Sequence, residues 1–430
     1  MISFVSLTQS QSWDYLGNAG FSGDTANYLS LAINSQSQEV YVAYQDLTYG
    51  GKLSLTKYQG NGIWGQSAEA PIPLLTGYSS GYANFIDLNI DDGGLAYICF
   101  VDAGNSDNIG LVSQISSGNF QSNYISGTNS SSVNTHIKKD FDNVRYFVHY
   151  NGRIKFSREA IETAITPEIN ITALSFDFLY GSGYIAYSNL DDGGKIDVQK
   201  VNTSESIDTY DNISDGLSNY IDLAISPLTL QPYIAFQDLA NAGKVTVKKL
   251  NGDNWELVGD EAFSGGLSNY VDLAFDSNGV PYVAFQDVSF SNKLSVMSFN
   301  GTTWEYVGDR GITNSSASYC SIELNSDGEI FVAFKDGAVD NKASVMRYGS
   351  TLSLNENYLS DYSLYPNPTN NLLNVKSQGL LDIKIYDGLG HLVLKNDSSN
   401  SIDVSKLSSG LYFVNIKNGS KTSIKKFIKN

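Results

Sequence analysis

An all-β chain assembled from repeats is what three features of this sequence predict. The phrase Tyr-x-Asp-Leu-Ala-x followed by Pro-Tyr-x-Ala-Phe-Gln-Asp occurs twice almost unchanged, from Tyr220 to Asp238 and from Tyr270 to Asp287, and weaker copies run along most of the chain. The closing Asp recurs at Asp46, Asp102, Asp238, Asp287 and Asp336, with Gly152 and Asn189 in its place in two copies, at steps of 56, 50, 37, 49, 49 and 49 residues. A composition with 28 Tyr, 39 Gly and 41% hydrophobic residues suits short strands joined by tight turns around a large core. Seven units of roughly 40 to 50 residues, each with several strands, indicate a β-propeller.

The clearest unit gives the strands in order. Tyr270–Asp276 and Val280–Asp287 flank the turn Ser277-Asn278-Gly279 as strands one and two; Lys293–Asn300 is a third strand and Trp304–Gly308 a fourth. Both alternation classes of strand two are apolar, as expected when a sheet is covered on both faces by its neighbours. The seventh unit has three strands, at Tyr319–Asn325, Glu329–Asp336 and Lys342–Tyr348, but lacks the Trp-x-x-Val-Gly phrase. An orphan copy, Trp13–Gly17, stands near the N-terminus, so residues 12–17 are expected to complete the last blade and remove an exposed sheet edge. Units two to four are degenerate and unit four is short. A six-bladed ring is the alternative if one of them forms no full sheet.

Charge and cysteine content narrow the function. The chain carries a net −18, and with 9 Lys against 6 acids after residue 355 the repeats hold 18 basic and 39 acidic residues, a net −21. That balance argues against nucleic acid and anionic membrane as partners, and no segment approaches the length of a membrane span. Cys99 and Cys320, in units two and seven, read as buried unpaired thiols. MISFVSLTQSQ resembles the stub of a signal peptide, so residues 1–10 are assigned to a leader remnant.

The repeat ends near residue 350, and after a linker at 351–360 the segment 361–430 carries its own strand pattern: Leu372–Lys376, Asp382–Asp387, His391–Lys395, Leu411–Ile416 and Thr422–Ile428, with turns at 388–390, 409–410 and 418–419. A small antiparallel β-sandwich follows. Tyr365-Pro366-Asn367-Pro368-Thr369, then Lys384-Ile-Tyr-Asp387 with its Gly-Leu-Gly turn, then Leu407-Ser-Ser-Gly410-Leu411-Tyr412-Phe-Val414 and the final Lys425-Lys426-Phe427, resemble the type A C-terminal sorting domain of the type IX secretion system of Bacteroidota. The resemblance covers about 75 residues. It implies export through the periplasm and across the outer membrane to the cell surface or beyond, with the translocon, its shuttle protein and a sortase as partners.

Within the repeats, the connection before strand one and the connection after strand two are expected to open on one face. That face gathers Tyr28, Asn219, Tyr220, Asn269 and Tyr270 from the first, and Asp46, Asp238 and Asp287 from the second, as ligand-binding candidates. Aromatic rings beside amides and carboxylates suit a sugar. The bland alternative is that each Asp ties its own turn. Asp87, Asp222 and Asp272 recur within strand one and are expected around the central channel. Off-pattern acids Glu159, Glu162, Glu168 and Glu205 form no motif, and His136 and His149 have no metal-ligand spacing. Asp91, Asp191 and Asp276 open turn-like runs; calcium there is the weaker reading, and no cofactor is expected. The reading at this stage is a non-enzymatic surface protein that binds a glycan or protein, with a glycan-active enzyme or a purely structural protein as alternatives.

Overall fold

The computed structural model describes residues 11–65, 74–116, 118–125, 135–139, 145–158, 161–202, 206–349, 363–376, 381–387, 391–396, 400–418 and 421–430. The leader remnant, the linker at 351–360, Glu159, Glu205, the turn at 388–390 and Gly419 fall outside them. The chain divides into two compact units, Met1–Gly349 and Ser350–Asn430.

The first unit holds seven four-stranded antiparallel sheets, which excludes the six-bladed alternative. Strand one of blades one to seven is Ala26–Ile33, Ala83–Ile90, His136–Lys139, Ile171–Leu179, Ser218–Ile225, Ser268–Phe275 and Ala317–Leu324. Degenerate unit three still forms a complete sheet, with its fourth strand at Ile161–Ala164. Gly152, expected to close strand two there, lies in the bend after Arg145–Tyr150.

Strand two is the most deeply buried element of a blade; all seven residues of Val40–Asp46, Ala96–Asp102 and Pro232–Asp238 are buried. The cause is packing on both faces. Seven apolar clusters occupy the seven junctions between neighbouring blades. Phe100, Phe236, Phe285 and Phe334, from equivalent positions, are fully buried, each contributing about 1.5–3 kcal/mol of apolar transfer.

Closure of the ring follows the expected route. Ser12–Tyr15 pairs antiparallel with Lys342–Gly349, matching Trp13 to Tyr348 and Tyr15 to Met346. The Trp13 indole donates to the Val307 carbonyl of blade six at 2.7 Å, and the Tyr15 hydroxyl donates to Asp336 at 2.8 Å. The same indole contact recurs from Trp304 to Val258 and from Trp64 to Leu16, always onto the preceding blade. Gly17 and Gly308 end the Trp-x-x-x-Gly phrase at φ +76° and +75°, and a side chain on either would meet the next blade's Trp at about 3.0 Å. The phrase is therefore a blade-to-blade clasp, and its glycine leaves room for the neighbouring indole.

The second unit is a sandwich of a three-stranded sheet, Ser363–Tyr365, Leu372–Lys376 and Ser401–Asp403, and a four-stranded sheet, Leu392–Asn396, Asp382–Tyr386, Gly410–Asn418 and Lys421–Lys429. Its own core is built from Leu373, Val375, Ile383, Ile385, Val414, Ile416 and Phe427 among others.

Candidate functional site

The strand-one ladder is irregular in blade four, between Ile171 and Leu174, and in a common way in blades one, two, five, six and seven. Register shifts between Asn27 and Ser30, Asn84 and Asp87, Asn219 and Asp222, Asn269 and Asp272, and Ser318 and Ser321. At each of these five bulges an aromatic residue takes a left-handed backbone: Tyr28, Phe85, Tyr220, Tyr270 and Tyr319, with φ between 45° and 53°. For an aromatic this costs on the order of 1–2 kcal/mol per residue, and such strain concentrates where a side chain is re-aimed for use. The five rings form a continuous collar in the order Phe85, Tyr28, Tyr319, Tyr270, Tyr220, with centroid spacings of 5.2, 5.0, 5.0 and 5.1 Å. Their interplanar angles of 55°, 53°, 45° and 48° match the rotation of about 51° per blade in a sevenfold ring, so every ring holds the same attitude to its blade. Blade four has the small Ala173 at this position, one residue before Leu174, which pairs with Tyr187.

Below the collar, strand one lines a cavity of about 560 Å³. Two residues beyond the five aromatics come Ser30, Asp87, Asp222, Asp272 and Ser321, and with His136 and Ser175 of blades three and four they form a polar layer. This layer stitches the blades together. Ser30 accepts from the Leu88 amide, Asp87 from Ile137, Ser175 from Leu223, Asp222 from Leu273, Asp272 from Ile322, and Ser321 from Leu31, at 2.6–3.0 Å. His136 Nε2 completes the circle by donating to the Leu174 carbonyl at 3.0 Å.

A further two residues on, strand one carries Asn89, Lys138, Asp177 and Glu323, with Ala32, Ala224 and Ala274 in the other blades. Lys138 lies 3.6 Å from Asp177. Burial pulls its ammonium down, but Asp177, Asp87, Glu323 and Asp222 together hold it above its ordinary value. Burial pushes the Glu323 carboxyl up to about 7, opposed by Lys138 and reinforced by Asp177 and Asp222. Burial raises the carboxyls of Asp222 and Asp272, and the charge of Asp222 raises Asp272 further.

The sequence-derived candidates divide between this channel and the framework around it. Tyr28, Tyr220 and Tyr270 stand in the collar. Asn219 and Asn269 sit one residue outside it and hold it in place. Gln237 accepts from Asn219 at 3.3 Å and donates to the Ser268 carbonyl and Asn269 of the next blade at 2.7 and 2.9 Å, a bridge repeated by Gln45 with Asn27 and Asn84. Asp46, Asp238 and Asp287 are buried within their own blades and stay out of the collar. Asp46 caps the turn at the Thr48 amide, and Asp238 accepts from Asn241 and Thr246. Asp287 is gripped through both oxygens by Arg310 at 2.6 and 3.0 Å. Asp87, Asp222 and Asp272 line the channel as expected. Lys138, Asp177 and Glu323 were missed, although the fourth residue after each collar position, alanine in three blades and charged in three, carries the signal. Glu168 is exposed beside Arg153, and His149 is buried. Cys99 and Cys320 are both buried and unpaired. Asp91 and Asp276 accept from amides of their own hairpin turns, and Asp191 lies in the short helical turn after strand two of blade four. Among the described residues no three His, Cys, Asp or Glu side chains gather as a metal ion would require.

In the second unit, the Pro-Asn-Pro-Thr run is pinned to the last strand. Asn367 Oδ1 accepts from the Ile428 amide at 2.9 Å and its Nδ2 donates to the Lys426 carbonyl at 3.2 Å, while Thr369 and Ile428 share a backbone bond. Tyr412 OH donates to the Ser408 carbonyl, holding the Ser-Ser-Gly turn against the core. Residues 363–430 match the family described as secretion system C-terminal sorting domain. This segment is a type IX secretion sorting domain. Tyr365, Pro366, Asn367, Pro368 and Thr369 form its pinned run, Gly410, Leu411 and Tyr412 open its longest hairpin, and Lys425 and Lys426 lie on the returning strand. The sorting domain directs the protein to the cell surface or the extracellular space.

No curated protein matches the chain. Among solved structures, the lectin of Aleuria aurantia in complex with Fucα1-6GlcNAc is similar at 16% identity, over 76% of this chain and 93% of that one, with a TM-score of 0.41. The α-L-arabinanase of Penicillium chrysogenum aligns at 9% identity over 79% and 97%, TM-score 0.47. A Dyadobacter fermentans protein of unknown function aligns at 10% identity over 79% and 100%, TM-score 0.46. Among the described residues no helix is long and apolar enough to cross a membrane.

Proposed function

We propose that the exported propeller is a carbohydrate-binding surface protein whose ligand enters the channel through the aromatic collar, and that the sorting domain hands it to the translocon's shuttle protein and a sortase. The collar carries this reading. Five aromatic residues are held in a strained backbone at the mouth of one cavity, and ring faces next to fixed polar groups are what sugar rings stack on. A protein ligand would exploit the same mouth.

Replacing Tyr220 and Tyr270 with Ala removes two adjacent rings that are partly exposed, at a modest stability cost. On a glycan array, wild type is expected to select a defined set of glycans, and the double variant to lose on the order of 1 kcal/mol per stacking contact, roughly tenfold or more in affinity. Equal binding by both proteins would remove the collar from the site. A glycan-active enzyme is the second reading, favoured by the near-neutral titration of Glu323, which suits a general acid. Release of reducing sugar by wild type and its loss in Glu323→Gln would establish it.

A further inference from the structure

We infer that the group the channel receives beneath the collar is a protonated amine, carried by an amino sugar or by a linear polyamine; this rests on the reading of the channel as the binding site. Charge and its distribution carry the argument. Five carboxyl groups, Asp87, Asp177, Asp222, Asp272 and Glu323, line one cavity against Lys138 and His136. Both opposing groups come from blade three. Lys138 lies against Asp177, and His136 lies 3.7 Å from Asp87 with its other nitrogen on the Leu174 carbonyl. Asp222, Asp272 and Glu323 belong to blades five, six and seven, whose first strands carry no cation. These same blades carry Tyr220, Tyr270 and Tyr319. The acids in excess and the continuous part of the collar therefore share one side of the channel.

Asp222, Asp272 and Glu323 are half-buried around the cavity, and acids that outnumber the cations of the wall attract a cationic ligand. The acids are spread over the strands of five blades, so the fitting cation brings its own bulk and several N–H donors. Aromatic faces add attraction for an ammonium. The molecule already shows this contact at the rim: Lys335 Nζ stands 5.8 Å from the Tyr319 ring centre while donating to Asn27 at 2.9 Å. From a collar ring to the polar layer is roughly 7 Å along the strand, so an amine displayed on or just beyond a stacked ring reaches Asp222 and Asp272.

The test is calorimetric titration of the intact chain at pH 7.5 with three probes: the glucosamine trimer, its fully N-acetylated counterpart, and spermidine. The glucosamine trimer or spermidine is expected to bind at least tenfold more tightly than the N-acetylated trimer. Glu323→Gln and Asp272→Asn, the second of which keeps its acceptor oxygen, are each expected to weaken amine binding roughly tenfold with an unchanged melting temperature at that pH or a higher one. Lowering the pH to 5.5, where spermidine keeps its charge and Glu323 gains a proton, is expected to weaken spermidine binding too. Binding of spermidine alone supports the amine and removes carbohydrate from the proposed function; binding of the glucosamine trimer alone supports both. Equal or tighter binding of the N-acetylated trimer overturns the inference while leaving carbohydrate recognition intact. Failure of both amine probes overturns it outright.

Discussion

Glu323 is a carboxyl whose burial outweighs the help it receives from Lys138, and its titration near 7 against an ordinary 4.5 has a definite sign for stability. Between those values the folded chain keeps a proton that the unfolded chain gives up. Glu323 therefore carries no penalty below about pH 4 and its whole penalty above about pH 7. Glu323→Gln is expected to raise the melting temperature at pH 8 and to leave it unchanged at pH 4. Identical melting at pH 8 would mean the carboxyl is solvated in the folded state. This residue was not legible as a site because its position is alanine in the best repeats, and the eye follows what repeats. The reverse holds for Asp46, Asp238 and Asp287. Their repetition made them conspicuous, yet each is held inside its own blade, through an amide, a hydroxyl or Arg310.

At the scale of the strand, the N-terminal segment was legible because a Trp phrase was missing at one end and present at the other. Pairing rules left one economical solution, and the ladder from Ser12 to Tyr15 follows it. Removing residues 1–20 takes away that ladder, the Trp13 clasp onto Val307 and the apolar contact of Leu16. A loss on the order of 3 kcal/mol or more is expected, seen as a sharply lower melting temperature. Unchanged melting would show that the ring is stable with an open edge. The bulges of strand one were not legible. Asn-Tyr reads as ordinary strand sequence, and only the ladder shows that two residues stand opposite one and turn the aromatic toward its neighbours.

For the whole molecule, the two units have separate cores, one cluster per blade junction in the propeller and one in the sorting domain. Truncation after Gly349 is therefore expected to give a propeller that melts as in the full chain but accumulates in the periplasm. Wild-type levels of the truncated form at the cell surface would remove the export role from the tail, and an unfolded product would tie the propeller's stability to it. The boundary was legible because a repeat rich in Asp gives way to a lysine-rich segment with ordered motifs. Blade three was the least legible part, since its phrase has lost the closing Asp and only three-dimensional pairing identifies it as a full sheet.

The rung that joins Ser12 to Gly349 also makes the starting point of the propeller arbitrary. Residues directly opposite on antiparallel strands are the distance apart that a two-residue hairpin turn spans. A chain in which such a turn linked 349 to 12, with new ends cut at the exposed turn before Gly279, would be a circular permutant with the same seven sheets. Its last blade would become one continuous meander, and the split would pass to a hairpin in blade six.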